Sequence, residues 1–161
     1  MKNSDNANIS KKELLILVTR FCSLEERCVY DVRKKISEFN YPEDEITEII
    51  EFLKKEKYID EQRYAEAFVN DKYRFNKWGK YKINFALKQK HISEPIILEA
   101  LKKIPDNNYH SLLFDELSKK LRSLPKSSGY ELKSKLYRFA ASRGYENDLI
   151  LKVISELLNE K

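Results

Sequence analysis

The chain has 161 residues, of which 42% are hydrophobic and 35% charged, so a packed core is affordable beneath a heavily ionic surface. Three glycines and four prolines leave little to punctuate tight hairpins or cradle phosphates, and the Glu-, Lys- and Leu-rich remainder favours helices. The net charge of +5 permits an anionic partner, and its distribution along the chain decides where one would bind.

Residues 1–9 read as a frayed polar tail. The first helix is expected over 11–21, opened by a capping box of Ser10 with Glu13 and carrying Leu14, Leu17, Val18 and Phe21 on one face. A second box, Ser23 with Glu26, points to a helix over 24–39. A third helix is expected over 42–57, with Pro42 in its first turn, where a missing N–H costs nothing. Cys22 and Cys28 lie six residues apart with no histidine near them. They are read as small hydrophobes rather than a zinc site or a disulfide framework. The next helices are expected over 60–76, 79–90 and 93–104. Tyr64, Ala65, Phe68 and Val69 face inward on the first of these, Phe85 on the second, and Pro95 opens the third. The last three are expected over 106–123, 128–143 and 146–159, with Leu113, Leu117, Leu121 and Leu124 inward and Ser128 with Glu131 as a cap. No period-two strand pattern interrupts them.

Self-similarity organises these helices. Val32, Ile36, Tyr41, Ile46, Ile49, Ile50 and Leu53 recur as Ile83, Leu87, Ile92, Ile97, Ala100, Leu101 and Ile104, and again as Leu136, Ala140, Tyr145, Ile150, Val153, Ile154 and Leu157. Offsets from the first residue are 4, 9, 14, 17, 18 and 21 each time, and the units are shifted by 51 and then 53 residues. The step of four marks one helix face, the middle residue a turn, and the later residues the apolar stripe of a second helix. The expectation is an all-α protein of three tandem three-helix repeats, 10–59, 60–105 and 106–161, forming an elongated or curved array.

Charge is uneven along this array. Residues 41–61 hold eight acids against three lysines. From 72 to 93 there is no acid at all, and Lys72, Arg74, Lys77, Lys80, Lys82, Lys88 and Lys90 are interleaved with Tyr73, Phe75, Trp78, Tyr81 and Phe85. A second basic stretch, 117–145, includes Lys133, Lys135, Arg138 and Arg143 against the single acid Glu131. Any one lysine reads most simply as a solvated surface charge. The acid-free window as a whole points instead to an anionic surface, a phosphate backbone or an acidic protein groove. Trp78, beside Gly79 at a helix junction, is open to packing or to contact.

Catalytic signatures are missing. The two histidines are solitary, and His91 falls at a helix end where a capping or turn role suits it. Asp60 and Glu61 stand at a helix start, where carboxylates favour the dipole. No nucleophile has a base at recognisable spacing, so neither a catalytic residue, a metal site nor a cofactor is expected. No apolar run approaches the ~20 residues needed to span a bilayer, and a cytoplasmic, non-membrane protein is expected.

The segment Tyr58-Ile59-Asp60-Glu61-Gln62-Arg63-Tyr64-Ala65, followed by Phe68, resembles the opening of the central signature of the RecX regulatory family. Gly79, Ile83, Leu87, Lys88, Lys90, Ile92, Ile97, Ala100 and Leu101 continue it, and the three-unit pattern extends the resemblance over roughly residues 10–158. One departure stands in the turn after Lys90, where the family usually has glycine and this chain has His91. A helix C′ residue adopts positive φ, which glycine tolerates better. The resemblance implies a modulator, usually inhibitory, of the RecA recombinase in homologous recombination, DNA repair and the SOS response. Such a protein lies along the groove of the recombinase filament, bridging protomers and touching single- or double-stranded DNA. The expected contacts are Lys72, Arg74, Lys77, Lys80, Lys82, Lys88 and Lys90, with Lys133, Lys135, Arg138 and Arg143 from the second basic stretch, and the expected state is a monomer. The competing readings are a direct nucleic-acid-binding helical module, such as a transcriptional regulator, and a scaffold for an unrelated partner.

Overall fold

The computed structural model describes residues 8–159, and among these it contains nine helices and no strand. Helices α1 (Lys11–Leu24), α2 (Val29–Ile36) and α3 (Glu43–Lys55) make a first unit. Helices α4 (Glu61–Arg74), α5 (Lys80–Gln89) and α6 (Glu94–Leu101) make a second, and α7 (Asp106–Ser123), α8 (Gly129–Ser142) and α9 (Asn147–Leu157) a third. The main helix-on-helix contacts fall inside these triples: α2 packs on α1 and α3, α4 on α5 and α6, and α7 on α8 and α9. The polar tail expected over 1–9 lies outside the described residues except at its end. There the Ile9 side chain packs on the first unit and its carbonyl accepts from the Tyr41 hydroxyl.

The apolar repeat is the packing code. Every second-unit position from Ile83 to Ile104 is buried, and in the other units only Tyr41, Ile46 and Leu157 are merely half-buried. Each fully buried Leu or Ile contributes about 1.5–3 kcal/mol. Among the described residues the buried ones form two clusters. One fills the first unit around Leu14, Val32, Ile36 and Leu53. The other runs unbroken through the second and third units, from Ala65 and Leu87 to Leu117 and Leu136. Cys28 belongs to this second cluster although it precedes α2, so it pegs the first unit to the second. Both thiols are free and buried, as small hydrophobes would be.

Several helix starts follow local chemistry. Ser10 accepts from the Glu13 N–H at 3.1 Å and Glu13 accepts from the Ser10 N–H at 2.7 Å, a complete capping box. Asp60 caps α4 through the Arg63 N–H at 3.0 Å, and Ser128 caps α8 through Glu131 at 3.4 Å. Pro95 lies in the first turn of α6, while Pro42 stands one residue before α3 rather than inside it.

The start of α2 departs from the expected residue 24. α1 continues through Leu24, and the Ser23 hydroxyl donates to the Thr19 carbonyl at 2.8 Å instead of capping a new helix. α2 begins at Val29 because Asp31 accepts from the Cys28 N–H at 3.3 Å, and Glu61 of the second unit accepts from the Val29 N–H at 3.2 Å. Glu26 turns instead to Arg63, at 2.5 Å.

Three helices end in the same left-handed turn, at Lys57, His91 and Gly144, with φ of 63°, 58° and 89°. In each the next residue's N–H reaches back to the C3 carbonyl: Tyr58 to Leu53, Ile92 to Leu87, Tyr145 to Ala140. His91 thus takes the turn role expected of it, in the conformation that glycine holds most easily.

Candidate functional site

The site is built at the seams between units. At the seam of the second and third units, α5 starts at Gly79 without a side-chain cap. Its first N–H groups are satisfied by the third unit instead. Gly79 donates to the Arg143 carbonyl at 2.7 Å, Tyr81 to the Gly144 carbonyl at 3.0 Å, and Lys80 to the Tyr109 hydroxyl at 2.9 Å. The Tyr109 hydroxyl in turn donates to Glu146 Oε2 at 2.6 Å. Burial, then this contact with a carboxylate, pushes the Tyr109 hydroxyl well above its ordinary value, so it stays a donor. Tyr145 stacks on Tyr109 at 5.2 Å and donates to the Lys77 carbonyl at 3.0 Å. A Cβ on Gly79 would meet the Gly144 carbonyl at 2.4 Å, and one on Gly144 would meet Lys82 Cβ at 2.3 Å. Two backbones touch here because neither residue has a side chain.

The seam of the first and second units is made of side chains. Lys90 pairs with Asp31 at 2.6 Å, and Arg63 with Glu26. The Lys90 ammonium also lies 5.0 Å above the Tyr30 ring, and Tyr30 meets His91 with ring centroids 5.5 Å apart. Burial pushes the Asp31 carboxyl up, but Lys90 and the Cys28 N–H and thiol outweigh it and hold it below the ordinary value of 3.8. Burial pushes the Cys28 thiol up to about 11.

These seams sort the expected contact residues. Lys72 and Lys82 flank the Trp78 ring at 5.0 and 4.6 Å, so Trp78 is a packing residue held between two cations. Lys82 also donates to the Ser142 carbonyl at 3.3 Å, and Arg143 to the Asn76 carbonyl at 3.0 Å. Lys80 lies over Tyr109 at 4.7 Å and near Asp106 at 3.6 Å. Lys80, Lys82, Lys90 and Arg143 are therefore engaged in architecture, and the two basic stretches meet at the α5–α8 seam. Arg74 sits exposed in the last turn of α4, Lys77 curls onto the Arg74 carbonyl, and Lys88 pairs at the surface with Glu94 at 3.0 Å. On α8, Lys133 and Arg138 are exposed, while Lys135 pairs with Glu131 at 3.1 Å and Arg138 reaches the Ser134 carbonyl.

The sequence reading placed Phe85 in the core, and the structure corrects this. Phe75, Tyr81 and Phe85 are 79%, 62% and 63% exposed. Ile83 and Leu87 carry the buried stripe of α5, so Phe85, two residues from each, points the opposite way beside Tyr81 and Lys88. Phe68 is half-buried at the core margin, with the Lys72 ammonium 5.4 Å above it. Aromatic side chains left outside a core within a stretch of cations offer stacking beside positive charge, which Glu94 of α6 partly offsets at Lys88. The helical period was the signal that could have found their exposure.

Among the described residues no group of three or more His, Cys, Asp or Glu is placed to hold a metal ion, and no helix is long and apolar enough to cross a membrane. Fold and surface together define a helical-repeat protein with a basic, aromatic face. The second three-helix domain of RecX matches residues 60–101, and the third matches residues 108–154. The regulatory protein RecX of Clostridium acetobutylicum is 32% identical over 160 residues, 97% of this chain and 72% of that protein. RecX of Chlorobium phaeobacteroides is 32% identical over 94% of this chain and 97% of its own length. Against RecX of Clostridium botulinum strain Eklund 17B the identity is 39%, and the chain spans 60% of that relative's length. The crystal structure of RecX from Lactobacillus salivarius superposes with a TM-score of 0.84, covering 92% of this chain and 97% of that one at 23% identity, which speaks for the fold. The chain belongs to the RecX family of regulatory proteins.

Proposed function

We propose that this chain binds the RecA–DNA filament and restrains it, inhibiting recombination and ATP hydrolysis without chemistry of its own. The observation that carries the reading is the exposure of Phe75, Tyr81 and Phe85 within the stretch 72–93, which holds cations such as Arg74, Lys77 and Lys88 and no acid of its own. Family membership supports the regulatory role, and exposed cations beside aromatics are suited to an anionic nucleoprotein. Residues 10–59, 60–105 and 106–161 act in this reading as successive modules along the filament groove. Modest contacts per module then add through effective concentration. The protein works in the cytoplasm, where the recombinase is. Purified protein is expected to slow single-strand-dependent ATP hydrolysis by RecA at stoichiometric ratios. No slowing at stoichiometric excess would contradict the proposal.

Direct nucleic-acid binding is the second reading, and the exposed aromatics favour it because bases stack on such side chains. It predicts salt-dependent binding to single strands with no recombinase present.

A further inference from the structure

Outside the face of α5 lies a second basic surface, the groove between α7 and α8. It has a volume of about 440 Å³ and is lined by Lys120 and Leu124 on one side and by Lys135, Arg138 and Phe139 on the other. No acid lines it, from α9 or elsewhere. The acids one turn before Lys135 and Lys120 are engaged: Glu131 pairs with Lys135 at 3.1 Å, and Glu116 pairs with Lys119 at 3.2 Å. Lys120, Arg138 and Arg143 pair with no acid among the described residues. Arg138 donates through Nε to the Ser134 carbonyl at 3.3 Å, and its two terminal nitrogens have no partner.

The excess of positive charge calls for an anion. An acidic protein segment would need an apolar anchor beside its carboxylates, because interface energy concentrates in a few buried side chains. The groove has no seat for one. Leu124 and Phe139 are both half-buried, and the Phe139 ring already has the Lys120 ammonium 5.3 Å and the Arg143 guanidinium 5.0 Å from its centroid. A run of phosphodiesters needs only charge and forked N–H donors, which Lys120 and Arg138 supply. The same groove joins the second unit, since Arg143 donates to the carbonyl of Asn76, which lies between Arg74 and Lys77 in the chain.

We propose that the α7–α8 groove holds the phosphate backbone of a nucleic acid through Lys120 and Arg138, without touching its bases. The site therefore takes single strands and duplexes alike and is indifferent to sequence. It deepens the reading above by giving the third unit the nucleic acid of the nucleoprotein, and rests on that reading only for the kind of partner. The exposed rings of α5 are a separate contact.

Fluorescence anisotropy of labelled oligonucleotides with the full chain, and no recombinase, tests it. A duplex and a single strand of mixed sequence should both bind at about 50 mM salt, with affinity falling steeply as salt rises. Lys120→Met keeps the apolar stem over Phe139. Combined with Arg138→Gln, it is expected to weaken both complexes by about tenfold or more and to lower the salt slope on duplex by about 2. Lys12→Gln with Lys34→Gln removes the same charge from exposed positions of the first unit and should change binding by less than about twofold. If the double variant melts early, Arg138→Gln alone, at an exposed position, should lower the slope by about 1. The proposal is overturned if neither oligonucleotide binds, if the double variant binds as the unaltered protein does, or if the first-unit control loses as much. A loss confined to the single strand overturns it too, because that would report base contacts. Poly-glutamate displacing the duplex as well as unlabelled duplex does, charge for charge, would overturn it in favour of an acidic protein. A chain that binds DNA in this way yet does not slow RecA contradicts the reading above and supports the groove.

Discussion

The two seams of this array solve one problem with different materials. Between the second and third units, backbone meets backbone at Gly79 and Gly144, the N-terminus of α5 is capped by another unit's carbonyls, and one core runs through both. Between the first and second units, side chains do the joining: Lys90 with Asp31, Arg63 with Glu26, His91 with Tyr30, and Cys28 as an apolar peg. A backbone seam has no rotamers and is little screened by salt. A side-chain seam has both weaknesses. The second and third units share one core and a backbone seam, while the first is joined to them through side chains.

The largest expected effect breaks the rigid seam. Gly144→Ala places a Cβ against the Lys82 backbone in a positive-φ position, and thermal unfolding should report a loss of about 3 kcal/mol or more. A change within about 0.5 kcal/mol would show that the backbones can part at little cost. Next comes the side-chain seam. Lys90→Met leaves Asp31 without its cation and should cost about 2 kcal/mol, with partial exposure of Lys90 keeping it from being larger. In a Cys22→Ala background, the same change should speed thiol labelling of Cys28, which is otherwise slow because the thiol is buried and its pKa is about 11. Unchanged labelling would mean that the peg does not depend on the ion pair.

The pH dependence follows from Asp31. Its folded pKa lies below 3.8, so its contribution is fully present above that value and is lost as pH falls through the lower folded one. Acid titration of the Asp31→Asn variant should lack this component and otherwise run parallel. The smallest effect is at His91. Glycine there relieves a φ of 58° but removes the Tyr30 ring contact, so His91→Gly should change stability by within about 1 kcal/mol while loosening the seam to Cys28 labelling.

The helical periodicity of the chain was enough to reveal its units, because Ile83, Leu87 and their counterparts repeat at one set of offsets and are buried in the structure. It could not place the start of α2, which depends on Glu61, 32 residues further on, accepting from the Val29 N–H. Nor could it show that α5 is capped by Arg143 and Gly144. The basic window was visible as composition, yet composition does not distinguish Lys82, folded onto Trp78, from Lys88 on the surface. Phe85 was misplaced because an aromatic on a helix invites a core reading, and only its offset from Ile83 argues otherwise.

The central claim is that the outward face of α5, and not the seam lysines, meets the recombinase filament. The most direct measurement is RecA ATP hydrolysis on single-stranded DNA, titrated with the unaltered protein and with a Tyr81→Ser, Phe85→Ser, Lys88→Ser variant. The three side chains touch neither core, so the melting temperature should hold. The unaltered protein is expected to inhibit, and the triple variant to require at least about tenfold more protein for the same effect, a loss of roughly 1.4 kcal/mol. Equal inhibition by the two proteins would contradict the account.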